Sequence, residues 1–466
     1  MKRTVIIIGG GVAGLAAAVR LAEADHRAIL IESRKRLGGR AGSFSDPRTG
    51  RVLDNCQHVL LGCCTHLIDL YDRLGVLERI AWHRALYWTR GRGVVDTMRA
   101  GLLPAPLHLL PSLRRMRLFD SAEKRAIGRA MWRMIRLGEN GRMRWREKTF
   151  AEFLDACRQP PSVVQAFWNT VIVGACNAGV WRVSAAPAMQ VFQQGLLANR
   201  WSYTMGLATV PLVELYGPAQ GIIEAAGGEV RLGTSARAIA YDGRRVTGVV
   251  TTAGVIEGAA VISAVPPDRL GKLVGAALRG ADTRLQELEA IEMSPILGVH
   301  LHFDQSIMEL PHLVLVERGI DWLFNKGIDT DGGQYVHAVK SAADEWMGLS
   351  EVEIVRRTVD DVHHVLPASR GLEPTAVRAV KEKRATFAPT PEVERHRPRA
   401  SPGTIGLGGG GVENLFLAGD WCDTGWPATM EGAVRSGYAA AGAVAGVDLG
   451  IEEVPPAWLA RQLGLG

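Results

Sequence analysis

Six cysteines in 466 residues (Cys56, Cys63, Cys64, Cys157, Cys176 and Cys422) include no C-x-x-C pair and no zinc spacing. A disulfide scaffold and a structural zinc site are therefore not expected. Reduced, mostly buried thiols in a cytoplasmic compartment fit this usage. Aromatic residues are scarce, at 6%, and do not interleave with the basic runs. No nucleic-acid motif is present, so no nucleic-acid partner is expected. No run of about eighteen or more apolar residues is free of charges or helix breakers, which argues against a transmembrane helix. A large excess of one sign of charge is missing as well. The net +6 gives only a weak pull toward an anionic surface. Internal repeats and long low-complexity linkers are also missing, and the length allows two or three domains with a large core.

What is present begins at once. The β-branched run Thr4-Val5-Ile6-Ile7-Ile8 reads as a buried parallel strand. It breaks at three glycines and resumes as an Ala/Leu-rich helix through about residue 24. Lys2 and Arg3 before an apolar run suggest a secretory leader, but glycines break the run and no small-residue cleavage site follows. Gly9, Gly11 and Gly14 fit the G-x-G-x-x-G pattern of a dinucleotide site. Gly9 makes the tight turn, Gly11 admits a pyrophosphate, and Gly14 lets helix and strand pack closely. Val12 and Ala13 open the helix, whose free N–H groups face the phosphates. A second strand over 27–31 ends at Glu32 and Ser33, where a carboxylate meets an adenosine ribose.

Gly38-Gly39-Arg40 resembles the second fingerprint of the flavin amine oxidase and phytoene desaturase superfamily. There the glycines pass close to FAD and the arginine faces its pyrophosphate, a contact suited to a planar guanidinium. Arg34 to Arg36 read equally as a solvated basic loop. The C-terminal part carries a matching signature. The strand over 414–418 ends at Gly419-Asp420, and Thr429-Met430-Glu431-Gly432-Ala433 opens an Ala-rich helix. The resemblance puts Asp420 at the ribityl or pyrophosphate region. It sets the Met430 to Ala433 backbone against the flavin pyrimidine, where reduction builds negative charge. It also places Ala236 near adenine. Residues 406–411 precede a strand, so they are not a second dinucleotide turn.

Asp54-Asn55-Cys56-Gln57-His58 stands where the superfamily has Asp-x-Gly beside the isoalloxazine. Cys56 replaces the glycine. The Gln57-His58 pair followed by Leu60-Leu61-Gly62, together with Asp420-Trp421-x-Asp423, resembles the hydroxysqualene dehydroxylase family. On the residues alone, His58 also reads as a satisfied structural histidine. His300 and His302 fall on one face of a strand. No third ligand is visible, so they read as solvent-facing and no metal site is expected.

Residues 66–80 read as an amphipathic helix. Residues 101–119, apolar and proline-punctuated before Arg114, Arg115 and Arg117, suit either an interfacial membrane contact or a lid on the core. Helices over 121–200 concentrate aromatics that line an apolar tunnel or simply form core. The expected fold class is α/β: a Rossmann-like FAD-binding domain from 1–80, 205–270 and 405–450. A helix-rich, mixed α+β substrate domain from 81–204 and 271–404 is inserted in it. The resemblance implies non-covalent FAD and reductive removal of a hydroxyl from hydroxysqualene, with an unidentified reductant for the flavin. His58 and Asp423 are the candidate acids, with Gln57 beside them. The rivals are an oxidative carotenoid desaturase, an amine oxidase, and a non-catalytic flavin-bound lipid carrier. The expected location is the cytoplasm, peripheral to the membrane's inner face.

Overall fold

The computed structural model describes residues 2–328, 332–403 and 410–465. Residues 406–409 of the glycine run noted above lie outside the described residues. A five-stranded parallel sheet runs in the order Glu229–Leu232, Arg27–Glu32, Thr4–Ile8, Ala260–Ser263, Leu415–Leu417. Its central strand explains its own composition. Val5 and Ile7 face the helices Val12–Glu23 and Met430–Ala445, while Ile6 and Ile8 face the opposite side. There the antiparallel strands Ala236–Tyr241, Val246–Thr251 and Gly254–Glu257 supply Ile239, Val249 and Ile256. A strand covered on both faces has no polar side, hence its unbroken β-branched run.

A second sheet has seven strands, ordered Ala376–Phe387, Met293–Phe303, Gln334–Ser341, Trp322–Ile328, His312–Leu315, Ala85–Gly91, Val94–Arg99. Helix Glu351–Val365 packs its Ile354, Val359 and Val362 on one face of it. The helical region starts at Ser121–Met143, which Asp120 and Glu123 close as a capping box. It then runs through shorter helices around Phe150, Phe153, Phe167, Trp168 and Phe192. These rings pack edge-to-face and stacked, 4.9–6.4 Å apart, so most of the aromatic helical residues are core. Trp132 and Trp181 are exposed instead.

Two expectations need correction. The helix expected over 66–80 is Thr65–Arg73, and Leu77 falls in a separate turn beyond Gly75. His300 and His302 do share a face, but both are buried. Their strand lies inside the seven-stranded sheet, between Ala376–Phe387 and Gln334–Ser341. The His300 ring stacks on His337 at 4.1 Å and its Nδ1 bonds Tyr335 at 2.6 Å. Burial pushes His300 down to about 4. No group of three or more His, Cys, Asp or Glu suited to a metal occurs among the described residues.

Candidate functional site

A large cavity, about 1010 Å³, runs between the two sheets. It sits at the top of the usual range for one small ligand, and its lining has two characters. One end is glycine-rich backbone. Gly9, Gly11, Val12, Ala13, Glu32, Ser33, Gly38, Gly39, Arg40 and Ala236 line it, with Gly419, Asp420, Thr429, Met430, Glu431 and Ala433 along the way. The other end is an apolar chamber of Leu86, Trp88, Met98, Phe167, Val171, Leu196, Trp322, Phe324 and Val339. Cys56, Gln57 and His58 line the same cavity.

The glycine-rich end fits a dinucleotide. Helix Val12–Glu23 begins at Gly11 with no side-chain cap, which leaves its first N–H groups free for an anion. Gly14 does not line the cavity. Its Cα packs under the turn, where a Cβ would lie 1.9 Å from the Gly9 carbonyl oxygen. The Gly38 N–H donates to the Gly10 carbonyl at 2.9 Å, docking the second fingerprint on the first. A Cβ at Gly39 would come within 2.8 Å of the Gly11 Cα. Glu32 closes this end. Its carboxylate accepts from the N–H groups of Gly10 and Arg34, each at 2.8 Å, and from the Ser33 hydroxyl at 3.1 Å.

Arg40 binds the Asp420 carboxylate through both terminal nitrogens and donates to the Ala385 carbonyl at 2.8 Å. The two fingerprint charges thus neutralise each other at the middle of the cavity. Glu431 contributes backbone to the cavity, but its side chain turns away. It accepts from the N–H groups of His66 and Leu67 at 3.1 and 2.8 Å and pairs with Arg435 at 2.7 Å. Burial alone would raise its carboxyl. The bonds and charge from His66 and Arg435 leave it below the ordinary value.

His58 is held by its Nδ1, which donates to the Cys56 carbonyl at 3.0 Å. That fixes Nε2 as its free nitrogen. Burial pushes its pKa below the ordinary histidine value and outweighs the Cys56 carbonyl and Asp54, while Arg40 and Lys326 push the same way as burial. The neighbouring Gln57 accepts from Lys326 at 3.1 Å and donates to the His58 carbonyl at 3.1 Å. Burial raises the Cys56 thiol to about 12, so it stays protonated and inert.

Asp423 is the expectation that fails. It is not among the lining residues. Its carboxylate pairs with Arg146 at 3.3 Å and caps the Gly425 N–H, while its own N–H is tied to Pro398. Residues the motifs could not flag are Trp322, Phe324 and Lys326, which occupy alternate positions of one strand, and the walls built from 164–176 and 190–197. The alternation of 322–326 hints at the strand residues, and the aromatic-rich helices over 121–200 hint at the walls.

Cradle, carboxylate and paired fingerprints define an FAD-dependent oxidoreductase. The family model described as flavin containing amine oxidoreductase matches residues 12–445, and the chain belongs to that family. It is 29% identical to a hydroxysqualene dehydroxylase of Sinorhizobium fredii, over 95% of this chain and 98% of that one. It is 24% identical to a 15-cis-phytoene desaturase of Synechococcus elongatus, over 94% and 95%. A solved putrescine oxidase superposes with a TM-score of 0.72 at 16% identity, covering 96% of this chain and 99% of that one.

Proposed function

We propose that the protein reductively dehydroxylates hydroxysqualene to squalene. The observation that carries this reading is an apolar chamber continuous with the FAD cradle, with an imidazole and a carboxamide on the wall of the same cavity. An alkyl chain fits the chamber by burial of carbon alone. Hydroxide leaves carbon poorly unless protonated, so the reaction needs a proton donor in a largely apolar place. FAD, when bound and reduced, supplies the hydride for the allylic carbon. His58 supplies the proton at Nε2, and the Cys56 carbonyl holds its ring in place. Lys326, paired with Asp54 at 3.5 Å, orients Gln57. Arg40 and Asp420, paired with each other, position the phosphate end without leaving net charge there. The similarity to hydroxysqualene dehydroxylases supports the substrate class.

The segment 101–119 is proposed to touch a membrane through its tip. Leu102 is 99% exposed and Leu103 is partly so, while His108, Met116 and Phe119 are buried. Arg114 and Arg115 are exposed, and Arg117 is tied to Asp96. Exposed apolar side chains and exposed cations on one segment suit an anionic interface. No helix among the described residues is long and apolar enough to cross a bilayer. The test of the reaction is anaerobic: photoreduced holoprotein is mixed with hydroxysqualene and the products are separated. Squalene with stoichiometric flavin reoxidation is expected. A more unsaturated product from oxidised protein and a carotenoid precursor would replace this reading with the desaturase one.

A further inference from the structure

Two π-helical stretches wall the chamber, Val164–Asn169 and Val191–Leu197. At the second, Gln190 and Gln194 both line the cavity. π-Helical turns recur at functional sites because they displace side chains from the α-helical register. Gln190 Nε2 donates to Gln194 Oε1 at 2.8 Å. That bond leaves the Gln190 carbonyl oxygen and the Gln194 amide NH₂ without a protein partner among the described residues. Neither atom is sealed off from the cavity. Exchanging oxygen and nitrogen in both amides only reverses the bond. One free carbonyl and one free NH₂ remain in either case.

Three other polar side chains of the chamber are already occupied. Asn177 bonds Ser294, Thr386 and Ala342. The Tyr203 hydroxyl donates to the Arg84 carbonyl and accepts from the Ala100 N–H. The Thr170 hydroxyl donates to Ala166. Carboxamides left unmatched in an apolar lining cost free energy, which a purely hydrocarbon ligand cannot restore. We propose that Gln190 and Gln194 form a hydroxyl-recognition site. An alcohol donates to the free carbonyl and accepts from the free NH₂, so the pair matches one hydroxyl on an isoprenoid chain. Gly195, next to Gln194, packs against Leu61 at 3.5 Å from a built Cβ, three residues along the chain from His58. The segment that carries Gln194 therefore packs on the strand Val59–Leu61 that follows His58. The pair is a specificity determinant through which no proton or electron passes. This inference rests on the proposed alcohol substrate and adds what selects it.

The experiment uses holoprotein with oxidised flavin, so that no turnover occurs, and follows the flavin absorbance on titration. Probes are hydroxysqualene, squalene, farnesol and the saturated hydrocarbon of farnesol's length. Parent protein is expected to bind each alcohol at least about tenfold tighter than its hydrocarbon, as hydrogen-bonding sites discriminate. Gln190→Met/Gln194→Met, near in volume and apolar, is expected to bring the two affinities within about twofold, with flavin content unchanged. Gln194→Met alone gives the same reading, in smaller degree, where the double variant does not fold. Alcohol preference retained in the variants, or absent from the parent, overturns the site. Preference abolished in the variants without turnover of hydroxysqualene by reduced parent protein overturns the substrate and leaves the site. Turnover with unaltered preference does the reverse.

Discussion

At the nucleotide end of the cavity, Gly9, Gly11, Gly14, Gly38 and Gly39 bring backbone to within contact of backbone, and the side chains that matter are few. At the other end Leu86, Phe167, Gln194, Trp322 and Phe324 come from four remote stretches of chain, and the backbone only carries them. The first end has fixed dimensions, because a carbon added at Gly9, Gly14, Gly38 or Gly39 would run into backbone. The second is a packed lining in which volume can be traded between neighbours. Cofactor identity is therefore written in spacing. Substrate identity is written in side chains that no spacing relates.

The sharpest way to break this contrast is Gly14→Ala. Its new carbon would meet the Gly9 carbonyl oxygen at 1.9 Å, so essentially all flavin should be lost, read from absorbance near 450 nm. Phe167→Leu in the chamber should keep normal flavin. Flavin retained by the Gly14 variant would show that the turn can yield.

Next in size is His58→Gln, expected to lower turnover by about 10²–10⁴-fold at unchanged flavin content. The acid form is the active one. Burial holds His58 below the ordinary histidine value, so parent turnover should still be rising as pH falls through about 6.5. In the variant that rise should vanish. A variant with parental rate and profile would remove His58 from the chemistry.

Glu32→Ala should weaken FAD by about tenfold to a hundredfold, or about 1.5–3 kcal/mol. The alanine forfeits both the proposed ribose contact and the three bonds that hold Gly10, Ser33 and Arg34. Glu32→Gln, able to accept some of these bonds, should fall between. The measurement is the dissociation constant by flavin fluorescence. The smallest effect is expected at the surface. Leu102→Ser/Leu103→Ser should reduce sedimentation with anionic vesicles several-fold at low salt, with flavin and stability unchanged, since Leu102 contacts so little. Identical sedimentation would place the membrane contact elsewhere.

Much of the cradle was legible because its causes are local. The turn, the uncapped helix and the acid at residue 32 lie within one βαβ unit, where short-range geometry decides. The chamber was less so. Asp423 sits three residues after Asp420, yet the chain turns and Arg146, from the helical region, draws its carboxylate away. Alternation placed His300 and His302 on one face, but only the neighbouring strands decide whether a face is wet. The π-helical form of the chamber walls left no mark, because nothing in the sequence distinguishes an i→i+5 ladder from an ordinary one.

The five-stranded sheet has a consequence for how the protein is made. Its centre strand, Thr4–Ile8, leaves the ribosome about four hundred residues before the strand ending at Leu417. Synthesis of the intervening chain takes roughly 20–80 s at about 5–20 residues per second. The helix that follows, with Met430 at its mouth, comes later still. During that interval the apolar helical region is complete while the cradle has no far wall. Cofactor capture thus waits for the residues beyond Leu417, and until then the nascent chain must keep its chamber shielded without flavin.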